Sequence, residues 1–338
     1  MKILISASNM VHINNFHIPY IEKFKEKGNS VFILSNGEGA DFNIPLKKSV
    51  LSIKNLFLVP KIKKILKKEK FDVVYLHTTL AAFFVRLAMK GLKNRPYVVN
   101  TVHGYLFSKD TSRIKRSIYL LCEKILKKQT DDILVMNTED YEVATKNNLC
   151  LNKVYFCNGM GVKFPSLPTV EKSSTDKTRL VFVGEISKRK NQSFLVKALE
   201  RLPNHTLTLV GDGAERKNIE KLAKKLNVSD RVTITGFTKD VYGHLLDSDI
   251  YVCASQIEGL PFNIMEAMHA GLPIVASDIK GNRDLLPNQC LYPFGDIEKF
   301  VSKVNSTRTE NIQYSIDKYK IENVLEENIG IYFSKFEK

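Results

Sequence analysis

The feature that most constrains the fold is an alternation of short apolar runs with amphipathic stretches, which passes along the chain twice. In the first half the apolar runs predict strands at 2–7, 30–34, 73–77, 97–101, 132–136 and 154–157. The stretches between them predict helices at 18–27, 60–68, 80–90, 113–128 and 138–148. Strands that alternate with helices indicate βαβ units around a parallel sheet.

The alternation lapses at residues 164–178, where prolines lead into a polar cluster typical of a linker. It then restarts, with strands predicted at 179–183, 206–210, 232–235, 250–254 and 273–277 and helices at 191–201, 214–226, 241–246 and 263–270. We therefore predict an N-terminal domain at 1–163, a linker at 164–178, a second domain at 179–310 and a helical tail at 311–338.

A chain of 338 residues has room for about two domains. The predicted class is α/β, with two doubly wound Rossmann-like domains facing each other across a cleft. The tail has no following strand, so its helix can cross back to the first domain. In such sheets, ligands bind at the carboxyl ends of the strands.

Membrane-spanning and disulfide-rich classes are excluded by the composition. No run of about 18 apolar residues occurs, and the apolar start of the chain is too short for a signal peptide. The five cysteines are odd in number and include no C-x-x-C pair, so we expect reduced thiols in the cytoplasm. No residue cluster predicts a metal site.

The net charge of +15 is concentrated in the first half. Residues 1–163 hold 27 Lys+Arg against 13 Asp+Glu, whereas the remainder holds 24 against 23. Two explanations fit this excess of positive charge equally well. One is a Lys-rich solvated surface, and the other is a basic face for an anionic partner, such as a membrane leaflet, a lipid diphosphate or nucleic acid.

The chemistry is concentrated in the run from Glu258 to Glu266, which follows an apolar strand. Gly259 and Pro261 predict a turn, and Asn263 is a candidate helix cap. The amino end of a helix suits a diphosphate, and a carboxylate one turn further on can accept hydrogen bonds from two ribose hydroxyls. The alternative is a pair of solvated helix carboxylates.

This run resembles the E-x7-E signature of retaining GT-B glycosyltransferases of family 4, especially the bacterial capsule and surface-polysaccharide enzymes, and the resemblance covers nearly the whole chain. It implies transfer of a hexose or N-acetylhexosamine from a nucleotide sugar, expected to be a UDP-sugar, to a glycan or polyprenyl-diphosphate-linked acceptor, with no cofactor or metal. Glu258 would contact the donor sugar and Glu266 the ribose. The donor-binding residues so implied are Arg189, Lys190, Phe237, Glu258, Gly259, Leu260, Pro261, Phe262, Asn263, Ile264 and Glu266.

A second element, Gly184 to Asn191, lies in a strand-to-helix turn. The family has Gly-Arg followed five residues later by Lys, and Lys190 matches that lysine. Glu185 occupies the arginine position, a departure that leaves Arg189 or Lys188 to supply the missing charge. Lys190 would neutralise the leaving diphosphate, although a basic surface turn has the same composition.

In the first half, His103 follows a predicted strand and matches a family histidine near the donor sugar. Together with Lys190 and Glu258, it forms the predicted catalytic set. The resemblance also implies acceptor-side candidates. Asn14 and Asn15 follow the first predicted strand, where relatives often carry a Gly-rich loop that is absent here, and His77 and Thr78 end a later strand.

Several alternatives remain open. The D-x-D at 247–249 matches a metal-binding motif of another glycosyltransferase fold, but its place between a helix and a strand favours a turn.

The basic amphipathic stretches at 61–68 and 113–121 fit core-facing helices or peripheral docking at the inner face of the membrane. A nucleic-acid-binding protein has only the charge in its favour. A sugar-nucleotide epimerase or a phosphorylase would keep the fold and change the reaction.

Overall fold

Parallel strands with helices between them form both halves of the computed structural model, which describes residues 1–47, 52–169, 176–308 and 312–336. The chain divides into two units. The first comprises Met1–Gly161 and the chain from Ile321 onward, and the second comprises Val162–Lys320. Each unit has its own sheet and its own apolar core. The predicted α/β class with two doubly wound domains is confirmed.

The first sheet has seven parallel strands in the order β3-β2-β1-β4-β5-β6-β7. Its strands are β1 Lys2–Ser6, β2 Ser30–Ser35, β3 Phe42–Asn43, β4 Val73–His77, β5 Tyr97–Val102, β6 Asp132–Val135 and β7 Val154–Phe156. The central strand β4 is buried along its whole length. Helices cover both faces of such a sheet, which explains why its strands read as continuous apolar runs.

The helices of the first unit lie between these strands and at the end of the chain. They are α1 Met10–Phe16, α2 Ile18–Glu26, α3 Ile53–Leu56, α4 Val59–Glu69, α5 Thr79–Met89, α6 Arg113–Ile125, α7 Thr138–Lys146 and α14 Ile321–Phe333. Asn14 and Asn15 lie in α1, a helix that the apolar pattern did not predict. Asn9 caps this helix by accepting a hydrogen bond from the His12 N–H at 2.9 Å, but only Ile13 is buried, so no apolar period revealed it.

The second sheet has six parallel strands in the order β10-β9-β8-β11-β12-β13. Its strands are β8 Thr178–Val183, β9 His205–Val210, β10 Val232–Gly236, β11 Ile250–Cys253, β12 Ile274–Ser277 and β13 Leu291–Tyr292. The helices of this unit are α8 Gln192–Leu199, α9 Arg216–Lys225, α10 Val241–Leu246, α11 Phe262–His269, α12 Asn282–Leu285 and α13 Ile297–Ser306.

The predicted linker at 164–178 belongs to the second unit where it is described, and its residues 170–175 lie outside the described part of the chain. The predicted tail at 311–338 is divided: its first described residues belong to the second unit, whereas α14 belongs to the first. Residues 309–311, 337 and 338 are also outside the described ranges.

The last helix, α14, completes the core of the first unit. The ring of Tyr332 lies 4.5 Å from Tyr75 and 6.0 Å from Phe24 between centroids. The Tyr75 hydroxyl donates to the Tyr332 carbonyl at 3.0 Å, and the Asn328 amide donates to the Tyr20 hydroxyl at 2.9 Å. The helix thus crosses back to the first domain, as predicted.

A buried ion pair joins α5 to α6. Both terminal nitrogens of Arg86 donate to the Glu123 carboxylate, at 2.9 and 3.1 Å, and Arg86 also donates to Thr130 at 3.2 Å. The Arg86 and Glu123 side chains are 1% and 8% exposed. Buried charges are tolerated when they are paired and hydrogen-bonded in this way.

Within the described ranges, no helix has both the length and the apolar character needed to cross a membrane.

Candidate active site

The second sheet reverses its strand order between β8 and β11, because successive strands extend from that boundary in opposite directions. Ligands of doubly wound sheets bind at this point, beyond the carboxyl ends of the strands. The turn after β8 contains Arg189 and Lys190, and the loop after β11 contains Glu258. Residues 68 apart in the sequence therefore meet at one edge of the sheet.

Glu258 is held by two cations. Lys190 Nζ lies 2.7 Å from Glu258 Oε1, and Arg189 Nη1 lies 2.9 Å from Oε2. Burial acts to raise the pKa of Glu258, but the charges of Lys190 and Arg189 outweigh it and hold that pKa below its ordinary value. The carboxylate is therefore ionised near neutral pH, and the three side chains carry a net charge of +1.

Lys190 and Glu258 are buried, whereas the Arg189 side chain is 45% exposed. Arg189 also donates to the Ile257 carbonyl at 3.1 Å. Glu185, at the expected arginine position, is exposed. Arg189 is therefore the cation that contacts Glu258 beside Lys190.

Helix α11 begins at Phe262 directly after this loop, with Pro261 as its cap. The predicted capping role of Asn263 is wrong, because Asn263 already lies inside the helix and its amide donates to the Val183 carbonyl at 2.7 Å. That bond ties the helix to the end of β8. The amino end of a helix carries a partial positive charge, so this end of α11 favours an anion.

The loop that carries Glu258 packs closely on the start of α12. A Cβ atom on Gly281, whose φ is +81°, would lie 2.6 Å from the Gly259 carbonyl oxygen. Leu260 and Ile264 are buried beside this loop. Any other residue at position 281 would therefore push the loop that carries Glu258 away from the start of α12.

Glu266 lies one turn into α11, where burial raises its pKa to about 7. It is close enough to Tyr242 to add to the rise that burial causes in the tyrosine pKa. The Tyr242 hydroxyl is itself buried without a hydrogen-bond partner among the described residues. A carboxylate and an unsatisfied hydroxyl side by side suit a ligand that offers hydroxyl groups.

Phe237 is not part of this group. It follows β10, the outermost strand, so β9 and β8 separate it from the loop of Glu258, and 85% of its side chain is exposed.

The D-x-D motif lies at the opposite edge of the sheet. Asp249 directly precedes β11 and accepts from the Arg179 N–H at 2.8 Å, and Asp247 accepts from the Arg179 guanidinium at 2.8 Å. Both carboxylates thus tie the amino ends of β8 and β11 together, as expected for a turn.

The first sheet reverses its order between β1 and β4. His77 ends β4 and His103 follows β5, and His77 Nδ1 lies 3.2 Å from His103 Nε2. Thr78 adopts a φ of +66°, and its hydroxyl accepts from the Ser8 N–H at 3.0 Å. The structure therefore brings His77, Thr78 and His103 to one edge, whereas Asn14 and Asn15 are exposed on α1.

Two further histidines join this edge. The His17 ring lies 3.8 Å from that of His77, and the His12 ring lies 4.8 Å from that of His103. Burial lowers the pKa of His12 to about 4 and the pKa values of the other three well below the ordinary value. All four imidazoles are therefore neutral near pH 7.

Two family models match the chain. The description "Glycosyl transferases group 1" matches residues 164–321, and "Glycosyl transferase 4-like" matches residues 2–137. The chain belongs to glycosyltransferase family 4.

The relatives of this glycosyltransferase include the O-antigen biosynthesis glycosyltransferase WbnH of Escherichia coli, which is 26% identical over 78% of this chain and 76% of that one. This chain is 29% identical to the EpsD protein of Bacillus subtilis (strain 168), over 90% of this chain and 86% of that one. It is 27% identical to UDP-Gal:alpha-D-GlcNAc-diphosphoundecaprenol alpha-1,3-galactosyltransferase of Escherichia coli, over 95% and 90%. The solved structure of Anabaena HepE in complex with UDP-glucose covers 99% of this chain and 100% of its own, with a TM-score of 0.74 and 17% identity. The GT-B fold is thereby confirmed.

Sequence reasoning missed several residues of this glycosyltransferase. His12, His17, Tyr242 and Gly281 were not singled out, although four of the seven histidines converge on one edge of the first sheet. Placement at predicted strand ends singled out His77 and His103, but it gave no signal for His12 and His17, which lie on and next to α1.

Proposed function

We propose that this glycosyltransferase moves a hexose or N-acetylhexosamine from a UDP-sugar to a glycan or lipid-linked sugar, with retention of configuration, in bacterial surface polysaccharide biosynthesis. The observation that carries the proposal is the buried Lys190–Glu258 pair next to the amino end of α11. A site that joins a fixed cation to the amino end of a helix suits the diphosphate of a sugar nucleotide.

The leaving diphosphate would be stabilised by Lys190, Arg189 and the first turn of α11. These groups are oriented by their own contacts before a substrate arrives, so they need no reorganisation when charge develops. Glu258 orients both cations and would accept a hydrogen bond from a hydroxyl of the donor sugar. Transfer by this route uses the charges of the chain and needs no metal at the diphosphate.

Glu266 would accept hydrogen bonds from the two ribose hydroxyls. The Tyr242 hydroxyl, which has no hydrogen-bond partner among the described residues, can form a further hydrogen bond with the ribose. His103 contacting the donor sugar, Phe237 contacting the base, and Asn14, Asn15, His77 and Thr78 lining the acceptor side remain predictions. The donors in the names of the E. coli relative and the HepE structure, UDP-galactose and UDP-glucose, support a UDP-sugar. The undecaprenyl diphosphate in the first name supports a lipid-linked acceptor.

A panel of UDP-, GDP- and dTDP-sugars tests the reaction. We expect saturable binding of one UDP-sugar, and transfer to a lipid-diphosphate-linked sugar with the anomeric configuration of the donor, read by NMR of the product. An isomerised donor would indicate an epimerase, and a sugar phosphate would indicate a phosphorylase. Either product would contradict the proposal.

The pKa of Glu266 predicts how donor binding depends on pH. Below pH 7 the carboxyl is increasingly protonated and loses its capacity to accept two hydroxyls, so the affinity for UDP-glucose should fall by up to about tenfold per pH unit. The charge of UDP-glucose is constant in this range. Calorimetric titrations between pH 6 and pH 8.5 should show affinity rising and then levelling off.

Glu266→Gln should bind the donor weakly at every pH in this range, with no slope. Glu220→Gln, a change of an exposed glutamate on α9, is the matched control and should keep the wild-type profile. A flat wild-type profile would contradict the role of Glu266.

We further propose that α6 docks this glycosyltransferase on an anionic membrane. Its outer face presents Ile114, Ile118, Leu121 and Ile125, which are 50–78% exposed and recur at helical spacing. The cations that flank this face are Arg113, Lys115 and Lys124. An apolar stripe between cations is typical of helices that lie in the membrane interface.

The other basic stretch does not share this feature. In α4 the apolar residues Ile62 and Leu66 are buried in the core, and the exposed residues are the lysines at 61, 64, 67 and 68 together with Pro60. The two stretches looked alike in sequence, and the structure separates them: α4 is a core-facing helix, whereas α6 leaves its apolar stripe uncovered.

Ile118→Glu should therefore lower binding to phosphatidylglycerol-containing vesicles by about tenfold or more, because burial of such a side chain contributes about 2 kcal/mol. Sedimentation with vesicles measures the effect. Leu151→Glu, which changes an exposed leucine of the same unit outside α6, is the control and should bind like the wild type. Equal binding of Ile118→Glu and wild type would remove α6 from the docking surface.

A further inference from the structure

Four histidines converge at the carboxyl edge of the first sheet, from four separate places in the chain. His12 lies on α1, His17 between α1 and α2, His77 at the end of β4, and His103 just beyond β5. Ring nitrogens of His12, His17 and His103 all lie within 4.8 Å of one another. This edge lies wholly within the first unit.

Two ring nitrogens of this group have no hydrogen-bond partner among the described residues. They are Nε2 of His12 and Nε2 of His17, and both are buried. The His17 side chain is only 1% exposed. A buried imidazole nitrogen without a hydrogen-bond partner reduces the stability of the fold. Two such nitrogens beside a third histidine indicate that a bound ligand satisfies them.

We propose that His12, His17 and His103 form a site for a divalent transition metal, with Zn²⁺ as the ion of choice. Imidazole nitrogen is a preferred ligand of Zn²⁺, and three histidines leave the fourth tetrahedral position open for water or another ligand.

The geometry needs only small side-chain movements. Zn–N bonds of about 2.0–2.1 Å place tetrahedral ligand nitrogens roughly 3.4 Å apart, so nitrogens now within 4.8 Å must approach by about 1.4 Å at most. His12 and His103 are partly exposed, which gives an ion a way in. His77, 3.2 Å from His103, can hold the His103 ring, as the outer partners of metal-bound histidines do.

The site has a consequence that rests on the proposed function. A metal bound by His103 occupies the histidine that is predicted to contact the donor sugar and lies beside the acceptor-side residues His77 and Thr78. Zn²⁺ binding and sugar transfer should therefore compete, so this site is inhibitory and separate from the diphosphate chemistry of the second unit.

The first experiment measures metal binding alone, on the full chain after treatment with a chelator. Titration with Co²⁺ should produce the strong visible absorption of tetrahedral cobalt with one ion per chain, and Zn²⁺ should displace it. His12→Phe should lower Zn²⁺ affinity by more than about tenfold. It keeps an aromatic ring next to Phe16, whose centroid is 4.9 Å from that of His12, and it removes the unsatisfied nitrogen.

His244→Asn, which changes a half-exposed histidine of the second unit, is the control and should bind Zn²⁺ like the wild type. His12→Asn provides a second variant if His12→Phe fails to fold, as judged by circular dichroism. Absence of tetrahedral cobalt absorption in the wild type, or equal Zn²⁺ affinity in wild type and a folded His12 variant, would overturn the site.

The second experiment measures transfer with the donor and acceptor found in the panel. Zn²⁺ should inhibit the wild type and leave His12→Phe active, and a chelator should restore wild-type turnover. Zn²⁺ that binds without inhibition would overturn the link to His103 while leaving the metal site intact. Transfer without any metal binding would overturn the site while leaving the proposed function intact.

Discussion

Lys190→Ala is expected to lower kcat/KM for sugar transfer by about 100- to 1000-fold, the usual effect of removing one fixed group that stabilises developing charge. The lysine is held 2.7 Å from Glu258 and is buried, so no neighbouring side chain can take its place without displacing the pair. The loss should appear mainly in kcat, because the charge on the leaving diphosphate is greatest in the transition state.

Steady-state kinetics with saturating acceptor measure this effect. Lys188→Ala is the matched control, since Lys188 is an exposed lysine of the same turn, and we expect its kinetics to change less than twofold. Circular dichroism and thermal unfolding establish that the Lys190→Ala protein is folded. Undiminished transfer by a folded Lys190→Ala protein would contradict the role given to this lysine.

Glu123→Ala is expected to reduce the stability of the first unit by about 3–5 kcal/mol, because it leaves the guanidinium of Arg86 buried without its counter-charge. Urea unfolding of the full chain measures the loss, and hydrogen exchange of peptides from α5 and α6 localises it to these two helices.

The double variant Arg86→Met with Glu123→Leu should recover most of that stability, since well-packed apolar residues replace a buried ion pair at little cost. Lys124→Ala, a change of the exposed neighbour on α6, serves as the control and should alter stability by less than about 0.5 kcal/mol. A Glu123→Ala protein as stable as the control would show that Arg86 finds another partner or reaches solvent.

The regular elements were predictable because their signals are local. The strands at 73–77 and 97–101 are largely apolar, and the structure reproduces their bounds to within one residue. The missed elements are α1, α3, α12, α13 and the two-residue strands β3 and β13. Most of them have little periodicity to detect, but α13 has apolar residues at helical spacing (297, 300, 301 and 304) and was detectable. In α1, one cap and one buried residue are all that mark a helix.

The candidate site was predictable residue by residue but not as a set of contacts. Lys190 and Glu258 each follow an apolar strand, which suffices to place both at a sheet edge. Their ion pair depends on β8 lying beside β11, a matter of strand order that no local pattern encodes. The histidine group needs the adjacency of β4 and β5 and also the unanticipated helix α1, so His12 and His17 could not be found from the sequence.

The return of α14 to the first unit sets an order of events during synthesis. The second unit is one unbroken stretch, Val162–Lys320, and can fold once that stretch has left the ribosome. The contacts of Tyr332 with Tyr75 and of Asn328 with Tyr20 cannot form in the first unit until α14 has been translated. A nascent chain released before α14 should therefore carry a finished second unit and an unfinished first one, which exposes the apolar surface around Tyr75 to chaperones and proteases.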